Sequence, residues 1–75
     1  MIGHEFYEIR VEEYIDPGWS DWFIGLTISY DPAGETVLTG PVRDQAMLFG
    51  LLIKVRDLGL VLVSVNRVDP DLASQ

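Results

Sequence analysis

The chain holds one histidine, His4, beside Glu5, and no cysteine. A lone imidazole with no thiolate and no fixed carboxylate makes neither a zinc site nor a hydrolytic triad. His4, Ser20 and Asp21 supply the residue types of such a triad on paper, but no nucleophile-elbow motif frames the serine. Without cysteine, thiol nucleophiles, thiolate metal sites and disulfides all fall away, and a reducing cytoplasm is a compatible home. Glu5, Glu8, Glu12, Glu13 and Asp16 carry oxygens that suit a hard cation. Alternation along a strand would send neighbouring carboxylates to opposite faces, however, and no stretch resembles a calcium loop. No catalytic residue, cofactor-binding residue or metal ligand is assigned on these grounds, no cofactor is expected, and an enzyme is the least favoured class.

Binding is better represented than catalysis. Trp19 and Trp22 offer large aromatic surfaces of the kind that stack on a ring or sugar. Trp22 reads more simply as core, which leaves Trp19, at a turn, as the candidate ligand contact. Arg43, next to a helix start whose amides are unpaired, is the candidate clamp for an anion. Asp44 beside it opposes a phosphate. The net charge is −7, and residues 1–35 hold eight acids against Arg10, while residues 36–75 balance four bases against four acids. Nucleic-acid backbones call for clustered Lys and Arg, which this chain lacks, so nucleic acid is not an expected partner. The acidic half could instead imitate a nucleic acid toward a basic protein.

These residues need a scaffold, and 75 residues make one domain, 1–75, with an ordered core over about 4–69. No basic segment precedes an apolar one at the N-terminus, and Gly50, Lys54, Arg56 and Asp57 interrupt the longest apolar stretches, so neither leader nor membrane span is expected. Tyr7, Ile9, Val11 and Ile15 alternate with Glu8, Arg10 and Glu12, a strand with one wet face. Asp16-Pro17-Gly18 reads as a type II turn. A second strand is expected from about Ser20 to Tyr30, with Trp22, Ile24, Leu26, Ile28 and Tyr30 on one face and Phe23 on the other. Asp31-Pro32-Ala33-Gly34 reads as a type I turn into a short third strand, Glu35 to Thr39. Thr39 or Gly40 should cap a helix that Pro41 opens and Gly59 stops, with Leu60 folding back onto Val55. Leu60 to Val68 forms the last strand, apolar on both faces at its start.

The expected fold is therefore α+β: β-β-β-α-β, a mostly antiparallel four-stranded sheet of order 3-2-1-4 with one helix packed on one face and a right-handed crossover. Placement of the last strand beside the third is the alternative. On a helical wheel, Met47, Leu48, Leu51, Leu52, Val55 and Leu58 face the core. Ala46, Phe49 and Ile53 make a second apolar strip, with Gly50 beside it.

Trp19-Ser20-Asp21-Trp22-Phe23, Gly25-Leu26-Thr27-Ile28, Leu38-Thr39-Gly40-Pro41-Val42, Asp44-Gln45-Ala46 and Val55-Arg56-Asp57-Leu58-Gly59-Leu60 together resemble a family of short prokaryotic proteins of unknown function. The likeness covers nearly the whole chain and implies a stand-alone domain, with no activity, ligand or catalytic residue to carry over. The family's helix commonly reads Asp-Gln-Ala-Ala-Leu-His-Gly-Leu-Leu, whereas this chain has Met47 and Phe49 at the corresponding Ala and His positions.

The apolar fraction is 48%, and a chain of this size buries only about 60% of the surface its unfolded form exposes. Excess apolar surface then seeks a partner. The function expected from sequence is a non-catalytic homodimeric interaction or accessory module, soluble and cytoplasmic, with Ala46, Phe49, Gly50, Ile53 and Phe23 as interface residues. A small-molecule-binding regulatory domain, with its pocket near the helix and Trp19, is the alternative.

Overall fold

The computed structural model describes residues 5–68. Strand β1 (Glu5–Val11) leads into a 3-10 helix (Pro17–Asp21); β2 (Thr27–Tyr30), β3 (Thr36–Val42), α1 (Gln45–Asp57) and β4 (Leu62–Val68) follow. The four strands form one sheet in the order β2-β3-β1-β4. All three pairings, β1 with β3, β1 with β4 and β2 with β3, are antiparallel. The class is the expected one, α+β with one α-helix on one face, and β4 lies beside β1 as expected. Strand β3, however, is the other neighbour of β1, and β2 lies at the edge.

The reason is the length of the first connection. Asp16 caps the 3-10 helix, its Oδ1 accepting the Gly18 N–H at 2.8 Å, so the segment expected to reverse the chain as a tight turn starts a helical turn instead. The chain then runs back along the sheet before β2 begins. Both β1 to β2 and β3 to β4 become parallel crossovers, each passing over one intervening strand. Two interlocked crossovers of this kind are the ferredoxin-like, split βαβ connectivity, here with a 3-10 helix where the first α-helix would stand.

Residues 20–26 do not belong to the second strand. Ile24 at φ 56° and Gly25 at φ 75° take two successive left-handed conformations, which end the 3-10 segment and reset the alternation. Phe23 is consequently 0% exposed, while Trp22 and Ile24 face outward. Phe23 is thus a core residue, not the interface residue expected from sequence.

Gly40 and Pro41 likewise stand in β3 and do not open the helix. A Cβ at Gly40 would come within 2.7 Å of Leu26 Cδ2, so the glycine lets the first crossover lie directly on the sheet. Pro41 is tolerated because β2 pairs with β3 only as far as Thr39. Asp44 is the N-cap of α1, its Oδ1 accepting the Met47 N–H at 2.9 Å. The far end is as expected: Gly59, at φ 72°, donates to Arg56 O and Leu60 donates to Val55 O, the paired bonds of a Schellman stop.

The core joins Ile9, Val11, Leu38 and Val42 of the sheet to Leu48, Leu51 and Val55 of α1 and to Ile15, Phe23 and Leu26 of the first crossover. Met47, Leu52 and Leu58 flank it, half-buried. Thr36 is the one fully buried polar side chain of the described residues. Its hydroxyl donates to Glu13 O at 2.6 Å and accepts the Ile15 N–H at 3.1 Å, which ties the exit of β1 to the start of β3.

Candidate functional site

The outward side of α1 is bare. Phe49 is 57% exposed and Ile53 46%, Ala46 is exposed beside them and Gly50 is half-buried. At about 100° per residue, Phe49 and Lys54 project roughly 140° apart, on opposite flanks of the core-facing line through Leu48, Leu51 and Val55. Lys54 Nζ lies 4.2 Å from the centroid of a Trp22 ring, so that flank meets the 3-10 segment, which packs beside β2. The Phe49 flank is the other side of the helix, away from the 3-10 segment.

The β4 edge of the sheet is also apolar. Val61, Leu62 and Val63 are all more than 40% exposed, and β4 ends the strand order with nothing among the described residues paired to its outer side. From Val61 to Asn66 it carries no charge. At its N-terminal end, Glu13 Oε1 accepts the Val61 N–H at 2.9 Å, and at its C-terminal end Arg67 Nη1 lies 3.6 Å from Glu5 Oε1. Leu62 thus remains part of an exposed surface, while Leu60 packs against the core.

The open sheet face is less acidic than the alternation suggests. Arg10 gathers Glu8 Oε1 at 3.3 Å, Asp31 Oδ2 at 2.6 Å and Glu35 Oε1 at 3.6 Å. The Glu8 hydrogen bond, with its charge and that of Asp31, raises the Arg10 pKa against the opposing effect of desolvation. Asp31 is held below the ordinary carboxylate range, first because its carboxylate accepts the Glu35 N–H at 2.9 Å and then through Arg10.

A cleft of ≈ 330 Å³ opens at the C-terminal end of α1, lined by Tyr14, Ile15, Asp16, Trp19, Leu58 and Leu60. Trp19 meets Trp22 edge to face, with ring centroids 6.2 Å apart, and Tyr14 stacks on Tyr30 at 5.1 Å. Tyr30 OH donates to Ile15 O at 2.6 Å, and burial pushes the Tyr30 pKa up. Arg43 does not join Trp19 here. It precedes the N-cap of α1, at the opposite end of a thirteen-residue helix, and lies 3.9 Å from its own neighbour Asp44. Sequence reasoning found Trp19 but missed Tyr14, Leu58 and Leu60, since only the unforeseen first crossover brings them together.

Among the described residues no three His, Cys, Asp or Glu side chains stand close enough to hold a metal ion, and no helix is long and apolar enough to cross a membrane. His4 lies outside the described residues. What the geometry defines is a small α+β domain with an uncovered helix face and sheet edge. Residues 6–66 match the family described as a domain of unknown function, DUF8691, and the chain belongs to that family. Neither a curated protein nor a solved structure matches it.

Proposed function

We propose that the chain is a non-catalytic interaction module that works as a homodimer in the cytoplasm. The observation that carries this reading is the exposure of Phe49 and Ile53 on the outer side of α1, in a chain too small to spare apolar surface. A rigid helix presenting an aromatic anchor flanked by the small residues Ala46 and Gly50 suits close approach of a second surface, and two-fold symmetry is the commonest way to satisfy one. Light scattering should give a particle of twice the 8.4 kDa chain mass at micromolar concentration. Phe49→Asp should return it to the single-chain mass. A single-chain mass at every concentration, unchanged by Phe49→Asp, overturns the reading.

A second reading is favoured by the cleft at Trp19. Its walls are mainly apolar with one carboxylate, Asp16, a combination suited to a small flat ligand. Metabolite titrations read by tryptophan fluorescence and thermal shift, repeated with Trp19→Ala, test it. A flat response across nucleotides, amino acids and sugars removes it.

A further inference from the structure

We infer that the cleft at the C-terminal end of α1 takes a small organic cation that carries no N–H, of the alkylpyridinium or quaternary ammonium type, held against Trp19 and Tyr14 and balanced by Asp16. The inference rests on the reading of this cleft as a ligand site and gives the ligand a charge and a chemical class.

Size limits the guest first. At ≈ 330 Å³ the cleft stands at the low end of the roughly 300–1,000 Å³ that ligand pockets enclose, which suits a single ring or a compact head group. Ile15, Leu58 and Leu60 supply its apolar lining, and Asp16 is the one charged residue in it.

The charge of the guest follows from what Asp16 lacks. Its Oδ1 accepts the Gly18 N–H at 2.8 Å, but among the described residues no cationic side chain pairs with this carboxylate. Other acids of the same half are matched: Arg10 gathers Glu8, Asp31 and Glu35, and Arg67 stands near Glu5. The end of α1 acts in the same direction, because the C-terminus of a thirteen-residue helix carries partial negative charge that favours a cation. Both bases of its last turn are engaged outside the cleft. Arg56 Nη2 lies 3.2 Å from Asp57 Oδ1, and Lys54 Nζ lies over Trp22.

The aromatic walls suit the same guest, since the face of an aromatic ring attracts a cation. Both rings are braced: Trp19 meets Trp22 edge to face, and Tyr14 stacks on Tyr30, whose hydroxyl is anchored on Ile15 O. Tyr14 is nevertheless 67% exposed and Trp19 44%, so each keeps surface for a ligand. Lys54 over Trp22 is the same attraction made within the chain. A primary ammonium is a poorer match, because its three N–H donors each need an acceptor once out of water. Ile15 O already accepts from Tyr30 OH, and Asp16 O accepts the Trp19 N–H at 3.0 Å. A nitrogen without N–H leaves no donor unsatisfied, and its charge is spread over carbon.

N-methylpyridinium and pyridine, the latter uncharged at pH 8, form a flat pair that separates charge from shape. Titrated into the whole chain at constant ionic strength, N-methylpyridinium should move the NMR resonances of Trp19 and Tyr14 saturably. It should bind at least about fivefold more tightly than pyridine, the size of one exposed cation–π contact. Asp16→Asn keeps an oxygen for the Gly18 N–H and removes the charge, so it should weaken N-methylpyridinium by a similar factor and leave pyridine unchanged. Glu5→Gln removes the same charge outside the cleft and should change neither. Equal affinities for the two probes, or equal losses in Asp16→Asn and Glu5→Gln, overturn the cationic class and leave the cleft reading standing on shape. If neither probe moves Trp19, the inference falls, and the metabolite titrations decide the cleft reading separately.

Discussion

The two crossovers do the same topological work by opposite means. From β1 to β2 the chain passes over β3 with only a 3-10 turn, and from β3 to β4 it passes over β1 with a thirteen-residue α-helix. The first crossover pairs part of its backbone within itself, and side chains take up groups that its irregular course leaves over. Thr36 takes Glu13 O and Ile15 N, Tyr30 takes Ile15 O, and Ser20 takes Leu26 O at 2.9 Å. The same segment sends Ile15, Phe23 and Leu26 inward. The helix satisfies its backbone internally and needs the domain on one side only, so its outer side is left to Phe49 and Ile53. A crossover fastened by side chains is committed to its own fold, whereas a helical one has a face to offer.

Two phenylalanines put that contrast to the sharpest test. Phe23→Ala in the first crossover should cost about 3–5 kcal/mol, since it empties a fully enclosed site. That is a large share of the roughly 4–11 kcal/mol available to a chain of this length at the usual stability per residue. Phe49→Ala in the second should change monomer stability by no more than about 0.5 kcal/mol, as an exposed substitution does. Urea unfolding at low chain concentration measures both, and equal costs would abolish the distinction drawn between the crossovers.

Next in size is the fastening itself. Thr36→Val preserves shape and removes the hydroxyl that joins Glu13 O to Ile15 N. Leaving those buried groups without a partner should cost about 1–3 kcal/mol. Hydrogen exchange should locate the loss in residues 12–26, with α1 protected as before. Uniform loss along the chain would mean that the first crossover is not separately tied.

Much of this contrast is legible in the residues, and the illegible part has a physical cause. Strand β1 shows its alternation because one face of it meets the core and the other meets water. Gly34 and Gly59 announce their turns because each takes a positive φ, 96° and 72°. The second helix strip is visible because α1 is a regular helix over its whole length, so a wheel places Phe49 and Ile53 correctly. The first crossover defeats such reasoning. Trp22, Ile24, Leu26, Ile28 and Tyr30 alternate as a strand would, but a β-branched residue at positive φ leaves no mark in composition, and it is Ile24 that breaks the phase. Unbroken alternation thereby puts Phe23 on the surface and Trp22 in the core, the reverse of what the fold does. The order of β2 and β3 failed for the same reason, because a continuous strand from residue 20 leaves too short a connection to pass over β3.

Ile24 makes that hidden strain measurable. Its φ of 56° costs a β-branched residue roughly 1–2 kcal/mol, and the side chain, half in solvent, recovers little of it. Asparagine tolerates the left-handed region, so Ile24→Asn should raise stability by up to about 1 kcal/mol. No equivalent gain is open to α1, whose residues are all at negative φ. A thermal midpoint that falls would show that Ile24 is held by packing, and the first crossover would then be less strained than its backbone indicates.

The smallest effect concerns the polar clasp of the β2–β3 hairpin. Asp31 accepts the Glu35 N–H and the Arg10 guanidinium, and its pKa is lowered from the model-peptide value of 3.8. A carboxylate whose folded pKa lies below its unfolded one binds fewer protons when folded, so its contribution is complete above the unfolded pKa. It fades as pH falls through the folded value. Denaturant midpoints measured from pH 5 downward should therefore drop, with the hairpin end of the sheet losing protection first. Asp31→Asn keeps an oxygen for the Glu35 N–H but removes the titration, so its midpoint should start lower at neutral pH and decline less in acid. No charged pair fastens the middle of β4, where Leu62 to Asn66 are neutral, so protection at that edge should be less sensitive to pH than protection at the hairpin. An acid profile unaltered by Asp31→Asn would mean that turn geometry alone holds the hairpin, and that the two edges differ in length and apolarity but not in electrostatics.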